Sequence, residues 1–326
     1  MKNADKRNTL KTLLGALFAG ATILVALFAL SALFYPKDNR TEYGVHDQDA
    51  NGVLGEPDNT IDVLFLGDSE CYCAFSPLQL FEDYGFTSYN LGTQTQRLYY
   101  GNTLLHRATE NQSPRIVVIE TDTLFRKFSI SSSMFQMMQD ALPVFEYHNR
   151  WKSLRPEDFT AEPVHTYFNG AKGYIARFAV NAADEEGYMD EEEEDEEERL
   201  ERMPQLNKMY LQYMIDYCRS IGAEPILIST PSTVNWNVTR HKAVERFAAE
   251  AGVTYIDLNE EESGLDIDWS ADTSDNGDHM NVAGSRKVTD YVGGYLSENY
   301  DLPDHREDEA YANWHDQLAW FHKQVW

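Results

Sequence analysis

Cysteine is scarce: the 326 residues hold only three, Cys71, Cys73 and Cys218. Three thiols build no disulfide framework, and a bridge between Cys71 and Cys73, two positions apart, would be strained in a helical segment. Structural zinc asks for about four ligands, with pairs such as C-x2-C. No second pair exists here and no EF-hand spacing, so neither metal nor cofactor is assigned, and the thiols read as small buried or half-buried side chains. Positive charge is scarce as well. Lys and Arg number 27 against 54 Asp and Glu, a net charge of −27. That balance argues against nucleic-acid binding, because phosphate backbones are held mainly by lysine and arginine, and against docking on anionic lipid by charge.

Long apolar runs are absent but for one. Leu13 to Phe34 hold no charged residue over 22 positions, about 33 Å of helix and enough to span a bilayer's hydrocarbon core. Lys2, Lys6, Arg7 and Lys11 precede it against Asp5 alone, so the positive-inside tendency expects residues 1–12 in the cytoplasm and everything after Tyr35 outside. A cleaved signal peptide is the alternative, but its apolar region runs only about 7 to 15 residues.

Residues 35–58, rich in Asp, Asn, Gly and Pro, read as a linker. Beyond them short apolar runs alternate with helical spacing. Ile61–Leu66, Ser88–Leu91, Arg115–Glu120, Pro225–Ser229 and Val253–Leu258 read as strands. Helical spacing is clearest in Leu206, Met209, Tyr210, Tyr213, Met214 and Tyr217, between Pro204 and Gly222, and it recurs in Val244, Phe247, Ala248 and Ala251, then in Val288, Tyr291, Val292, Tyr295 and Leu296. Strands alternating with helices predict an α/β domain over 59–300: three layers, α/β/α, around a five-stranded, mostly parallel sheet whose ligands sit beyond the carboxyl ends of the strands. Residues 184–198 carry 12 acidic residues; such a block repels itself and stays solvated, with a calcium or cationic-polymer contact the sharper alternative. In the tail, 301–326, Tyr311, Trp314, Leu318, Phe321 and Val325 share one helical face. This stripe packs back on its own domain, or else meets a partner or membrane interface.

The chemistry concentrates in two segments. "VLFLGDSECYCAF" (63–75) runs a strand into Gly67-Asp68-Ser69 and then a helical stretch. A serine attacks a carbonyl only when a base takes its proton and a third group holds that base. Among nine histidines, His279 lies in the polar loop "DTSDNGDHMNVAGS" after the fifth strand, on the edge where Ser69 would emerge. His106 lies in a helical pattern, and His305, His315 and His322 lie in the tail. No partner is placed by sequence to lower the pKa of Cys71 or Cys73, so Ser69 is preferred over both thiols.

"FLGDSE" together with "GDHMNVAG" resembles the SGNH (GDSL) hydrolase family over about residues 59–300. Its cell-envelope branch, including the teichoic-acid D-alanyl transfer protein and the alginate O-acetyltransferases, has a similar N-terminal anchor and closing block. The resemblance implies a flavodoxin-like fold, with Ser69 as nucleophile, His279 as general base, and the N–H groups of Ser69 and Gly92 as oxyanion donors. The family's acid lies three residues before the histidine. Asn276 stands there, between Asp275 and Asp278, and a one-residue insertion would give the role to Asp275. The family's third block supplies an asparagine after the third strand, where this chain reads "VVIETDTLF". Thr121 is the substitute donor, while Asp122, if ionised, would repel the oxyanion; losing one donor costs about 100- to 1,000-fold in rate. The expected function is an extracytoplasmic serine esterase or O-acyltransferase working on esters of a cell-envelope polysaccharide or teichoic-type polymer, with a membrane-bound acyl-donor protein as partner if it transfers. The rival expectation is a non-catalytic protein of the same fold that binds or scaffolds an envelope acylation complex.

Overall fold

The computed structural model describes residues 2–186, 188–190 and 203–325. Of the acidic run 184–198, Gly187 and residues 191–198 lie outside the described residues. In chain order the elements are α1 (Lys2–Phe34), α2 (Gln48–Asn51), β1 (Val63–Leu66), α3 (Ser69–Ala74), α4 (Pro77–Tyr84), β2 (Ser88–Asn90), α5 (Leu98–Thr109), β3 (Ile116–Glu120), α6 (Ile130–Ala141), α7 (Val144–Tyr147), α8 (Gln205–Ser220), β4 (Glu224–Ser229), α9 (Val238–Ala251), β5 (Thr254–Asp257), α10 (Val282–Asn299) and α11 (Ala312–Gln324). They fall into two compact units, residues 47–129 with 167–326 and residues 1–46 with 130–166.

The larger unit is an α/β domain. All five expected strands form, and all pair in parallel in the order β2-β1-β3-β4-β5. Successive side chains along a strand point to opposite faces, and both faces are covered, which explains the unbroken apolar runs. Leu64, Leu66, Val117, Ile119 and Leu227 pack with Leu104 and Leu105 of α5, Leu211 of α8 and Val244 of α9. Val63, Phe65, Val118 and Ile226 pack on the other face with Phe75, with Leu80 of α4 and with Val288, Val292 and Leu296 of α10. The strand order reverses at β1, between β2 and β3, and such a switch point opens a crevice at the carboxyl ends. Ser69 follows β1 and Asp122 follows β3, so both stand at that reversal.

Three features go beyond the sequence reading. Within residues 35–58, the part from Asp47 onward packs into this unit, with Ala50 and Val53 buried and the Tyr89 hydroxyl donating to the Asp49 carbonyl at 2.7 Å. Residues 130–166 group with residues 1–46 in the smaller unit. On α8 the buried face runs through Asn207, Leu211, Met214, Ile215 and Cys218, while Met209 and Tyr213 are exposed. Tyrosines can keep a polar tip in water, so the apolar stripe and the packed face differ by about one position. The tail does pack on its own unit: Trp314 and Phe321 are fully buried, and the rings of Trp314 and Phe81 lie 5.2 Å apart. Above Trp314 the Lys172 ammonium, 4.3 Å from the ring centroid, pairs with Glu56 at 2.6 Å, and both charges are buried.

The smaller unit holds α1 and its partners. Asn8–Phe34 of α1 is long and apolar enough to cross a membrane, and its most apolar stretch is unburied. The carboxyl end of the helix is clasped. The Val144 N–H donates to Ser31 Oγ at 3.2 Å, and Arg150 Nη1 donates to the carbonyls of Phe34 and Tyr35 at 2.8 and 2.9 Å. Arg150 is itself held by Asp158 at 2.5 Å, and the rings of Tyr35 and Tyr147 meet edge to face.

Candidate active site

β1 ends at Leu66 and the chain turns at Gly67, where a Cβ would stand 2.6 Å from Cys71 Cβ and 2.6 Å from Glu120 Cβ. That close approach, rather than a backbone angle, requires the glycine. Asp68 then caps α3, accepting the Glu70 N–H at 3.0 Å, so Ser69 stands half-buried in the helix's first turn. The second segment is a loop pinned by an isolated bridge between Thr273 and Met280 and turned by Asn276 and Gly277, both at positive φ. The turn brings Asp275 back over His279. Asp275 Oδ1 accepts the His279 backbone N–H at 2.8 Å, and Asp275 Oδ2 lies 2.7 Å from His279 Nδ1. Asp278 Oδ2 lies farther, at 3.2 Å. With its proton on Nδ1, facing the carboxylates, the ring leaves Nε2 as its lone-pair nitrogen. Nε2 is buried and has no hydrogen-bond partner among the described residues.

Two bridges join the segments. On one side Arg177 Nε donates to Cys73 Sγ of α3 at 3.0 Å, and Arg177 Nη1 lies 3.1 Å from Asp275 Oδ2. On the other side Asn235 Nδ2 donates to Glu70 Oε1 at 2.6 Å and to Asp278 Oδ1 at 2.5 Å. Ser69 and His279 thus belong to one cluster at the carboxyl edge of the sheet. A direct bond between Ser69 Oγ and His279 Nε2 is not made. Sequence reasoning missed Arg177 and Asn235, which lie in irregular loops that carry no periodic signal.

The remaining expected donors are engaged. The Gly92 N–H donates to Asn90 Oδ1 at 2.9 Å, and Asn90 is fixed by its own bond to the Cys71 carbonyl. Thr121 is fully buried, its hydroxyl 2.6 Å from that of Ser229. Neither thiol is poised to ionise. Burial pushes Cys71 far up, helped by the charges of Glu120 and Asp68, and burial pushes Cys73 up to about 12 against the lowering effect of Arg177.

Beneath Ser69 lies a buried carboxyl cluster of Asp68, Glu70, Glu120 and Asp122. Burial, then mutual repulsion, raises Glu70 and Glu120 well above the usual carboxylate range. Asp122 is raised to about 7 by burial and by the charge of Asp68, against the pull of Arg126 and Arg240, which lie 2.8 and 2.9 Å away. Arg126 also contacts Asp68. Donor atoms of Asp68, Glu70 and Glu120, and separately of Asp275, Asp278 and His279, lie close enough together to share a cation. Each group already has a guanidinium against it, Arg126 or Arg177, and no metal is assigned.

No protein-family model matches the chain, and no curated protein matches it. Among solved structures it is similar to a lipase/acylhydrolase from Enterococcus faecalis, at 12% identity over 74% of this chain and 98% of that one, with a TM-score of 0.40. A GDSL-like lipase from Bacteroides thetaiotaomicron is similar at 12% identity over 77% and 98%, TM-score 0.39, and an acetyl xylan esterase at 12% over 72% and 100%, TM-score 0.39. Likenesses this distant assign no activity.

Proposed function

We propose that this protein is a serine esterase or O-acyltransferase. One observation carries the reading: Asp275 grips both the backbone and Nδ1 of His279, so that a partnerless Nε2 sits in one cluster with Ser69 at the switch point of the sheet. His279 Nε2 takes the Ser69 proton, Ser69 Oγ attacks an ester carbonyl, and Asp275 holds the imidazolium that forms. The tetrahedral oxyanion meets the Ser69 N–H and a Gly92 N–H shared with Asn90. Collapse expels the alcohol, which receives its proton from His279, and leaves an acyl-Ser69. Water or an acceptor hydroxyl then releases the acyl group. The missing Ser69–His279 bond fits this cycle, because catalytic hydrogen bonds are often loose before substrate binds.

The finer reading joins α1 to this chemistry. The helix anchors the protein in the cell membrane with its N-terminus in the cytoplasm; the hydrolase-like domain is extracytoplasmic, and its esters are those of a cell-envelope glycopolymer. This matches the SGNH cell-envelope resemblance, with a membrane-bound acyl-donor protein as partner for transfer. A non-catalytic binding role is the second reading. It is favoured by Gly92 and Thr121, two of the three expected oxyanion donors, being engaged elsewhere.

Hydrolysis of p-nitrophenyl acetate by the full chain in detergent separates the two. The enzyme reading expects turnover that falls by roughly 1,000-fold or more in Ser69→Ala and in His279→Ala. Turnover unchanged in Ser69→Ala overturns the serine assignment, and no turnover in any form supports the binding role.

A further inference from the structure

We infer that α6 lies in the headgroup and upper acyl layer of the bilayer that α1 crosses, with its apolar stripe facing the lipid. The inference rests on α1 being a membrane anchor, and it concerns the smaller unit alone.

The sequence of α6, "ISSSMFQMMQDA", carries no lysine or arginine and a single acid, Asp140. Ile130, Met134, Met137 and Met138 recur at i, i+4, i+7 and i+8, which is one face of a helix. In a helix packed on a soluble core that face would be turned inward. Here it is turned outward: Ile130 is 59% exposed, Met134 65% and Met137 61%, with Phe135 beside them at 47%. Ser133, by contrast, is buried. Water is a poor solvent for such a surface, and contiguous apolar patches of this kind mark protein or membrane contacts.

The contacts of α7 fix the depth at which α6 sits. Leu142 donates its N–H to the carbonyl of Met138, closing the end of α6, and two residues later the Val144 N–H reaches Ser31 of α1. Ser31 lies inside the uncharged run Leu13 to Phe34, three residues and about 4.5 Å of helix below Phe34. Arg150, which binds the carbonyls of Phe34 and Tyr35, marks the polar boundary above it. The carboxyl end of α6 is therefore joined to the anchor at the level where its apolar run ends. Interfacial helices bury their apolar faces about 5–10 Å into the boundary between headgroups and acyl chains, and a helix attached at this level has that depth available. A bilayer fits better than a protein groove because the anchor reading puts lipid against α1's exposed apolar flank, and α6 is joined to α1 where that flank ends. With no cation on α6, the contact is apolar and independent of anionic lipid.

The test places single cysteines at Met134, Met137, Ser132 and Leu24 of the full chain; the three native thiols are buried and label poorly. Nitroxide-labelled protein is reconstituted in phosphatidylcholine bilayers, and collision with oxygen and with a water-soluble nickel chelate is read by power saturation. Positions 134, 137 and 24 are expected to favour oxygen and 132 the nickel chelate, with no change when phosphatidylglycerol is added. If 134 and 137 favour nickel while 24 favours oxygen, the anchor stands and the inference fails. Shielding of 134 and 137 from both reagents means a protein covers the stripe, which also overturns it. Nickel preference at 24 refutes the anchor itself and the inference with it.

Discussion

Asp275→Asn is the most informative single change, because two carboxylates stand near one imidazole and their distances rank them. Asp275 Oδ2 lies 2.7 Å from His279 Nδ1 and Asp278 Oδ2 3.2 Å. At an effective dielectric of about 20, an imidazolium attracts charges at those distances by about 6 and about 5 kcal/mol. Both carboxylates are about one-third exposed, so solvent screening reduces the difference below about 1 kcal/mol. Charge alone therefore separates them by less than about fivefold. Position separates them further: Asp275 also binds the His279 N–H, while Asp278 Oδ1 is taken by Asn235. In serine proteases the loss of the only such carboxylate costs about 10,000-fold. With Asp278 left in reach, Asp275→Asn is expected to lower kcat for p-nitrophenyl acetate by about 100-fold, Asp278→Asn by less than about tenfold, and the double variant by about 10,000-fold. Steady-state kinetics on the full chain in detergent supply the three numbers. A larger loss in Asp278→Asn than in Asp275→Asn, or a double variant no worse than Asp275→Asn, refutes the ranking.

Three further outcomes follow from buried groups. Burial, then the charges of Asp122, Glu120 and Asp68, pushes Glu70 well above the usual carboxylate range; a raised pKa means that stability falls as pH climbs above the unfolded value of about 4.3 until the raised value is reached. Glu70→Gln should match the parent protein in Tm near that lower limit and exceed it at higher pH, and parallel Tm curves would contradict this. Lys172→Met leaves the buried Glu56 carboxyl without its partner and should cost about 3–5 kcal/mol in urea unfolding, whereas the double change with Glu56→Met should cost much less; equal losses would show that the pair is not the cause. Trp314→Ala empties the site between Phe81 and Lys172 and should cost about 3–5 kcal/mol, and a loss within 1 kcal/mol, about the scatter of surface changes, would mean that the tail is not docked in solution.

The sheet was legible because strands covered on both faces must be apolar at every position, as in "IVVIE" at 116–120, and because Gly67 and the Asn276-Gly277 turn punctuate the chain where it reverses. The pairing of Ser69 with the His279 segment was read from position: Ser69 lies just past β1, and His279 lies in the polar loop between β5 and α10. The fine geometry was not. Whether Gly92 offers its N–H outward depends on the Asn90 rotamer, and whether Thr121 points to an oxyanion depends on Ser229, 108 residues later on β4. Arg177 reaches Asp275 from a segment without regular structure, so no spacing announces it. The 130–166 excursion escaped notice because its helical stripe fits an inward-facing helix equally well, and only the observed exposure of Met134 and Met137 shows that it faces out.

The nucleophile itself is tested most directly by treating the full chain with a fluorophosphonate probe and mapping the modified peptide by mass spectrometry, beside Ser69→Ala. The probe is expected on Ser69 alone, and labelling should vanish in the variant. A modified Cys71 or Cys73, or labelling that persists after the substitution, would contradict the account.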